Sequence, residues 1–275
     1  MKPFLLAIQF LTVIPLRVKG DVTSRMMGRS IGAFPLAGMI QGVFLGTAAP
    51  LLLVFFPAAL TAGLLVSLLV VTNGGFHLDG LSDTLDAISV KTSGDEAADR
   101  KKRLAIMKDS TTGPIGVIGI VLTLLLKCMG ITAFIDLTGN DSGLLFMALF
   151  LMPVFGKWSM VPAIVKNKAA RTHGLGKLLT DNSGWRELVG ATLWTAGIAG
   201  LLFLLFAPYP SSNLPLLFSM AVTGIMVILY LLAEATKRVG KKKTGGITGD
   251  LLGALNEISE VVYLLMVTAW LQHST

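Results

Sequence analysis

Apolar residues along this chain run in blocks of about twenty, parted by short polar connections, which is the pattern of bilayer-crossing helices rather than of half-buried helices or strands. Spans are expected at about 31–56, 58–71, 113–135, 143–165, 188–207, 214–235 and 251–271, the first two parted by Pro57 with no charge between them. The opening MKPFLLAIQFLTVIPL is apolar but short and is interrupted by Pro3 and Pro15. It reads as an interfacial or re-entrant helix with Arg17, Lys19, Arg25 and Arg29 at the headgroups. The fold class that follows is all-α: a polytopic transmembrane helical bundle of about seven spans plus that N-terminal helix. It forms one integral membrane domain over 1–275, in contact with membrane lipid.

Composition agrees with this reading. Of the 275 residues 53% are hydrophobic and 14% charged, and the mean hydropathy of +0.74 exceeds what a soluble domain of this size needs. Charge then sets the orientation. The N-terminal segment and the connections after the second, fourth and sixth spans carry Lys and Arg, whereas those after the first, third and fifth carry none; PYPSSNLP has no charge at all. This alternation places the N-terminus and every basic loop in the cytoplasm, with the C-terminus outside a cell membrane. Cytoplasmic Lys and Arg also account for the net charge of +7, so no nucleic acid partner is implied. The single Cys128 provides neither a disulfide nor a zinc cluster within the chain. The first residues lack the basic start and small-residue cleavage site of a secretory signal.

The polar stretch 73–112, expected to be a cytoplasmic catalytic loop with its helix ends, holds the candidate chemistry. Seven of the chain's 16 acidic residues lie between Asp79 and Asp109. In GGFHLDGLSDTLDA, Asp79, Asp83 and Asp86 stand at i, i+4 and i+7, so a helix would carry all three along one face. Three unpartnered carboxylates repel, and oxygen-only ligation suits Mg2+ or manganese. The duller alternative is a solvated face paired to Arg100, Lys101, Lys102 and Arg103. Gly74 and Gly75 break the second span, exposing backbone groups to water or to an anion, and His77 beside them is a candidate phosphate donor or proton carrier. Lys108, Asp109 and Ser110 precede the glycine-rich start of the third span, which reads either as an ordinary capped helix or as an anion site.

Two further stretches join these. In GGITGDLLGALNEISE, Asp250, Gly253, Ala254 and Glu257 fall on one helical stripe, two carboxylates flanking a small-residue patch suited to close helix packing; Asn256 and Glu260 lie on adjoining faces. RTHGLG, with Arg171, makes a basic and flexible loop suited to phosphate. Lys157 is expected near mid-membrane, where it neutralises a buried acid or a phosphate unless it snorkels. Lys127, nearer the outer surface, is expected to snorkel.

GGFHLDGLSDTLDA, RLAIMKDSTTGPIG, RTHGLGK and GGITGDLLGALNE together resemble the cobalamin synthase family, and the likeness extends over nearly the whole chain, including PFLLAIQFLTVIP and GRSIGAFPLAG. Lys108 and Lys157 stand where the family usually has Arg, keeping charge but losing the bidentate fork. The resemblance implies a magnesium-dependent transferase that joins adenosylcobinamide-GDP to α-ribazole (alpha-ribazole) or its 5′-phosphate and releases GMP, late in cobalamin assembly. It implies metal held by Asp79, Asp83 and Asp86. The acids, His77, Lys108 and Asp109 would serve catalysis. Gly74, Gly75, Ser110, Lys157, Arg171, Asp250, Asn256 and Glu257 would bind substrate or phosphate. Oligomeric state stays open between a homo-oligomer and a complex with other cobalamin-assembly enzymes.

Two rival readings meet the same residues. A CDP-alcohol phosphotransferase would show Asp-Gly-x-x-Ala-Arg, but Asp79-Gly80 is followed by Leu81, Ser82, Asp83 and Thr84. A transporter or channel lined by Asp79, Glu257 and Lys157 would need polar residues from face to face, whereas the acids cluster on one side.

Overall fold

A single helix, enclosed on all sides, is the axis of the fold. The computed structural model describes residues 2–16, 18–139, 141–206 and 214–274. Arg17, Asn140 and residues 207–213, which include most of PYPSSNLP, lie outside the described residues. In chain order the helices are α1 (Lys2–Leu11), α2 (Ser24–Ser30), α3 (Phe34–Leu53) reached through a 3-10 turn at Ile31–Ala33, α4 (Ala58–Thr72), α5 (Phe76–Ser89) and α6 (Glu96–Ile106). They continue with α7 (Pro114–Thr138), α8 (Ser142–Ile164), α9 (Leu175–Asp181), α10 (Trp185–Phe206), α11 (Leu214–Lys243) and α12 (Gly249–Ser274). No strand occurs among the described residues, only an isolated bridge between Ala169 and Ile247.

The enclosed helix is α8, in which every residue from Met147 to Ile164 is buried. A helix apolar all round belongs in a core. Against it lies α3, brought close by Gly38, Gly42 and Gly46: a Cβ on Gly38 would sit 2.4 Å from the Pro153 carbonyl oxygen, and one on Gly42 2.4 Å from that of Phe150. This is small-residue packing of the kind that joins helices in lipid, where hydrophobicity cannot drive association. The outer shell shows the converse pattern. On α7, Val117, Val121, Leu122, Leu125 and Met129 are exposed large apolar side chains, as a lipid-facing stripe requires.

Six helical segments among the described residues are long and apolar enough to cross a membrane. The first runs over Ser24–Leu53, so it begins before residue 31, because the helix continues through Arg25 and Arg29 and polarity alone does not end a helix. The second expected span differs more. At 15 residues, α4 is about 22 Å long, and the chain then turns by 88° into α5. So sharp a bend carries α5 across the starts of α7 and α12, at one end of the bundle. The turn is made by Gly74 and Gly75 at φ +65° and +71°, a left-handed conformation that only glycine adopts readily. The buried Asn73 fixes it, its Oδ1 accepting from the Gly75 N–H at 3.0 Å. The short α1 buries Leu6, Ala7, Ile8 and Leu11 against the bundle, and the Val13 N–H donates to the Thr72 carbonyl at 2.9 Å, tying α1 to the same turn.

The polar connections meet at this end. Arg103 of α6 donates to the Lys243 carbonyl that ends α11, at 3.4 Å. The loop after α8 is joined to the start of α12 by Ala170 N–H to Ile247 O, 2.9 Å, and Ile247 N–H to Lys168 O, 2.8 Å.

Candidate active site

The site is assembled by two helix starts and one loop around α5. An amphipathic α5 turns Leu78, Leu81 and Ala87 inward and leaves Asp79 exposed and Asp83 and Asp86 partly exposed. It crosses α12 at a glycine on each helix. A Cβ on Gly80 would lie 2.9 Å from the Asp250 Cα, and one on Gly253 3.1 Å from the His77 Cα. The small patch on the α12 stripe is therefore the crossing point expected from sequence, and this contact sets Asp250 beside the acids of α5.

Asp86 corrects the expectation of three unpartnered anions. Its two oxygens accept from the N–H groups of Gly113 (2.7 Å) and Gly116 (2.8 Å), at the start of α7. The first N–H groups of a helix have no intrahelical acceptor, and a carboxylate there also meets the positive end of the dipole. The glycine-rich start of the third span is thus an anion site, but the anion in it is Asp86.

Asp79 and Asp83 have no such partners: among the described residues neither side chain forms a hydrogen bond or an ion pair, and no salt bridge joins them to the cations of α6. Burial, then the neighbouring charges of Asp79, Asp250 and Asp86, push the Asp83 carboxyl up to about 6, with Arg171 opposing. Asp250 lies in the first turn of α12, whose Leu251 N–H is capped by Thr248 Oγ1 at 3.1 Å. Its Oδ2 is 3.5 Å from Nη2 of Arg171, which also reaches the Met107 carbonyl at 3.5 Å. The Arg171 Nε is buried and forms no hydrogen bond.

Excess negative charge on oxygen-only donors fits a hard divalent cation such as magnesium. Among the described residues, however, no group of three or more His, Cys, Asp or Glu closes around one point, so an ion here would take the rest of its shell from substrate oxygens and water. Lys108, Asp109 and Ser110 are exposed beside this surface. Asp109 is engaged locally, accepting from the Thr111 hydroxyl (2.8 Å) and N–H (3.0 Å), which holds its carboxyl below the usual range.

Beneath the surface, the reading of His77, Asn256 and Glu257 as substrate or phosphate ligands changes, and of the alternatives for Lys157 the buried acid, Glu260, is the one found. Lys157, Asn256 and Glu257 are sealed from solvent and His77 is 6% exposed, so none has access to a bound phosphate in this conformation. They form a charge-balanced network. Lys157 Nζ lies 3.0 Å from Asn256 Oδ1, 3.6 Å from Glu260 Oε1 and 3.5 Å from His77 Nδ1. Asn256 Nδ2 donates to Glu260 Oε1 at 2.9 Å. Lys127 does not snorkel. It is 1% exposed and pairs with both Glu257, at 2.7 Å, and Glu260. Glu260, to which the sequence reading gives no role, joins the two lysines, and two acids one turn apart with two mid-span lysines are the signal of a buried two-plus-two cluster.

Comparison with known proteins shows the family. The family described as Cobalamin-5-phosphate synthase matches residues 3–268. The chain belongs to that family. It is thereby a transferase of cobalamin biosynthesis. Similar proteins named adenosylcobinamide-GDP ribazoletransferase occur in Thermodesulfovibrio yellowstonii, 34% identical over 95% of this chain and 94% of that one, and in Fusobacterium nucleatum, 35% identical over 97% and 96%. The relative from Acinetobacter baumannii is 36% identical over 96% of both chains. No solved structure matches the chain.

Proposed function

We propose that this chain joins adenosylcobinamide-GDP to α-ribazole or its 5′-phosphate, at the cytoplasmic face of the cell membrane and with magnesium, giving adenosylcobalamin or its 5′-phosphate and GMP. The observation that carries the reading is the α5–α12 crossing at Gly80 and Gly253, which sets the uncompensated acids of α5 beside Asp250 and Arg171. A ribose hydroxyl of the acceptor attacks the cobinamide-bearing phosphorus. A new P–O bond forms, the P–O bond to the bridging oxygen breaks, and GMP leaves with that oxygen. Such a transfer needs charge neutralisation and in-line placement more than covalent catalysis.

Asp79 and Asp83, with Asp250 beside them, would hold magnesium, which supplies charge neutralisation on the diphosphate when bound. Arg171, part-exposed beside Asp250, would take a phosphate oxygen through its guanidinium. A carboxylate of the cluster accepts the hydroxyl proton; His77, turned inward against Lys157, is not placed for it. The basic connections gathered at this end support a cytoplasmic site.

The test is conversion of both substrates by the detergent-purified chain, with and without magnesium, beside Asp83→Asn. Product and GMP from the parent only with magnesium, and loss of both in a variant that melts normally, are expected. A folded parent that forms no product would sink the reading. A fully active Asp83→Asn would remove the metal assignment.

A further inference from the structure

Among the described residues, the side-chain hydrogen bonds that tie α5 to the rest of the chain lie at its two ends. Asp86, toward the end of the helix, accepts from the N–H groups of Gly113 and Gly116. His77, in the first turn, sets its Nδ1 3.5 Å from Lys157 Nζ. An ammonium can only donate, so Nδ1 is the acceptor and the ring proton sits on Nε2. Between these anchors the inner face of α5 is apolar, with Leu78 and Leu81 against Ala254. Asp79 and Asp83 fall within the same interval of the helix. An apolar face sets how closely a helix packs but only loosely how it is rolled about its axis, whereas a buried polar contact has a direction. The roll matters here. A carboxylate stands roughly 5–6 Å from the helix axis, so a roll of about 10° moves it by about 1 Å.

Lys157 can hold His77 because it is itself held. It is fully enclosed, with Asn256 Oδ1 at 3.0 Å and Glu260 Oε1 at 3.6 Å. Asn256 in turn donates to Glu260 at 2.9 Å, which fixes its amide. Gly156 brings α8 against α12 at this level, since a Cβ on it would stand 2.8 Å from the Glu260 Cγ and 3.0 Å from the Asn256 Oδ1. On the far side the backbone of His77 lies against Gly253. A sealed ion cluster adds little net stability over apolar packing of the same volume, so its use is geometric. We propose that Lys157 is a positioning residue for the transfer: through His77 it fixes the roll of α5 and so aims Asp79 and Asp83 toward Asp250 and Arg171. The inference rests on the function proposed above.

The test compares the full chain in detergent with His77→Leu, His77→Asn and Lys157→Met/Glu260→Gln, measuring kcat, KM for each substrate, the magnesium dependence of turnover and melting. His77→Leu removes the acceptor and leaves the two-plus-two charges intact. Asn restores an acceptor oxygen near the place of Nδ1 but carries no proton. The Lys157→Met/Glu260→Gln pair removes the donor while keeping the cluster neutral. His77→Leu is expected to lower kcat by up to about a hundredfold, the scale of a 1 Å misplacement. It should also raise the magnesium needed for half-maximal turnover, with KM for donor and acceptor little changed. His77→Asn is expected to recover most of that loss. The neutral pair should fall as far as His77→Leu, and combining the two should lower kcat no further, because both remove one contact. Parental kcat and magnesium dependence in His77→Leu would overturn the proposal, as would a folded neutral pair that turns over at the parental rate. So would a His77→Asn protein that melts normally yet is as slow as His77→Leu, which would give His77 a proton-carrying role instead. If the neutral pair does not fold, the two His77 variants decide. If the parent forms no product at all, the proposed function has failed separately. The anchor is then judged by amide hydrogen exchange over 76–84, expected to quicken in His77→Leu and to return toward the parent in His77→Asn; equal exchange in all three would overturn it.

Discussion

The ammonium of Lys127 lies 2.7 Å from the carboxylate of Glu257, and each side chain is 1% exposed. Neither charge has access to water, so each is the other's replacement for solvent, with Glu260 and Lys157 balancing the set at two cations and two anions. Removing one partner leaves an uncompensated buried charge, which typically costs about 3–5 kcal/mol. Lys127→Met is therefore expected to lower the melting temperature in detergent sharply. Lys127→Met/Glu257→Gln, which restores neutrality, is expected to recover much of the loss. A double variant no more stable than the single would show that packing rather than charge balance governs this region.

Asp86 and Asp83 are three residues apart on α5, yet only Asp86 accepts backbone N–H groups. Hydrogen bonds to a charged group contribute roughly 1.5–3 kcal/mol, so Asp86→Ala is expected to destabilise by that order, and Asp86→Asn, which keeps one acceptor oxygen, by less. Asp83→Asn removes a repelling charge and is expected to leave the melting temperature unchanged or raise it, while abolishing magnesium-dependent turnover. Melting curves and magnesium titrations on the two Asn variants check the contrast. Equal magnesium responses would return Asp86 to the metal site.

This pair shows what the sequence could and could not reveal. The spacing of Asp79, Asp83 and Asp86 fixes one helical face, because helix geometry is local. The partners of Asp86 lie 27 and 30 residues further along, and no local pattern reports them. Lys127 was misplaced for a related reason: depth along a span can be counted, but the direction a side chain faces depends on which helix packs there, and Glu257 is 130 residues away. The spans themselves were legible because bilayer thickness sets their length. The glycine break after α4 was legible as well. Its 88° turn was not, since Gly74 and Gly75 permit many directions and the packing of α5 on α12 selects one.

Burial of Asp83, together with the carboxylates crowded around it, predicts a pH signature. The Asp83 pKa is raised in the folded protein from 3.8 to about 6, so between those values the folded state holds a proton that the unfolded chain has released. Stability from this group is then greatest below about pH 4 and declines as pH rises through 6. The melting temperature of metal-free parent, relative to that of Asp83→Asn, is expected to fall across that window. Magnesium at pH 7 should restore it in the parent and not in the variant. A parent whose difference from Asp83→Asn is flat with pH would contradict the account.

The α5–α12 crossing makes the sharpest demand on side-chain size. A methyl group on Gly80 would come within 2.9 Å of both the Cα and the carbonyl oxygen of Asp250, and backbone cannot swing aside as a flexible side chain does. Gly80→Ala is expected to cost about 1–3 kcal/mol through overpacking. It should also reduce turnover by roughly a hundredfold, because a displacement of about 1 Å between reacting groups is enough for that. Gly190→Ala, on α10, meets nothing within 4 Å and is the control; it should leave turnover intact and stabilise slightly, since alanine favours helix over glycine by about 0.5–1 kcal/mol. Turnover and melting measured on both variants decide whether contact at this crossing positions Asp250 for the reaction. A Gly80→Ala protein that melts lower yet turns over at the parent rate would mean that it does not.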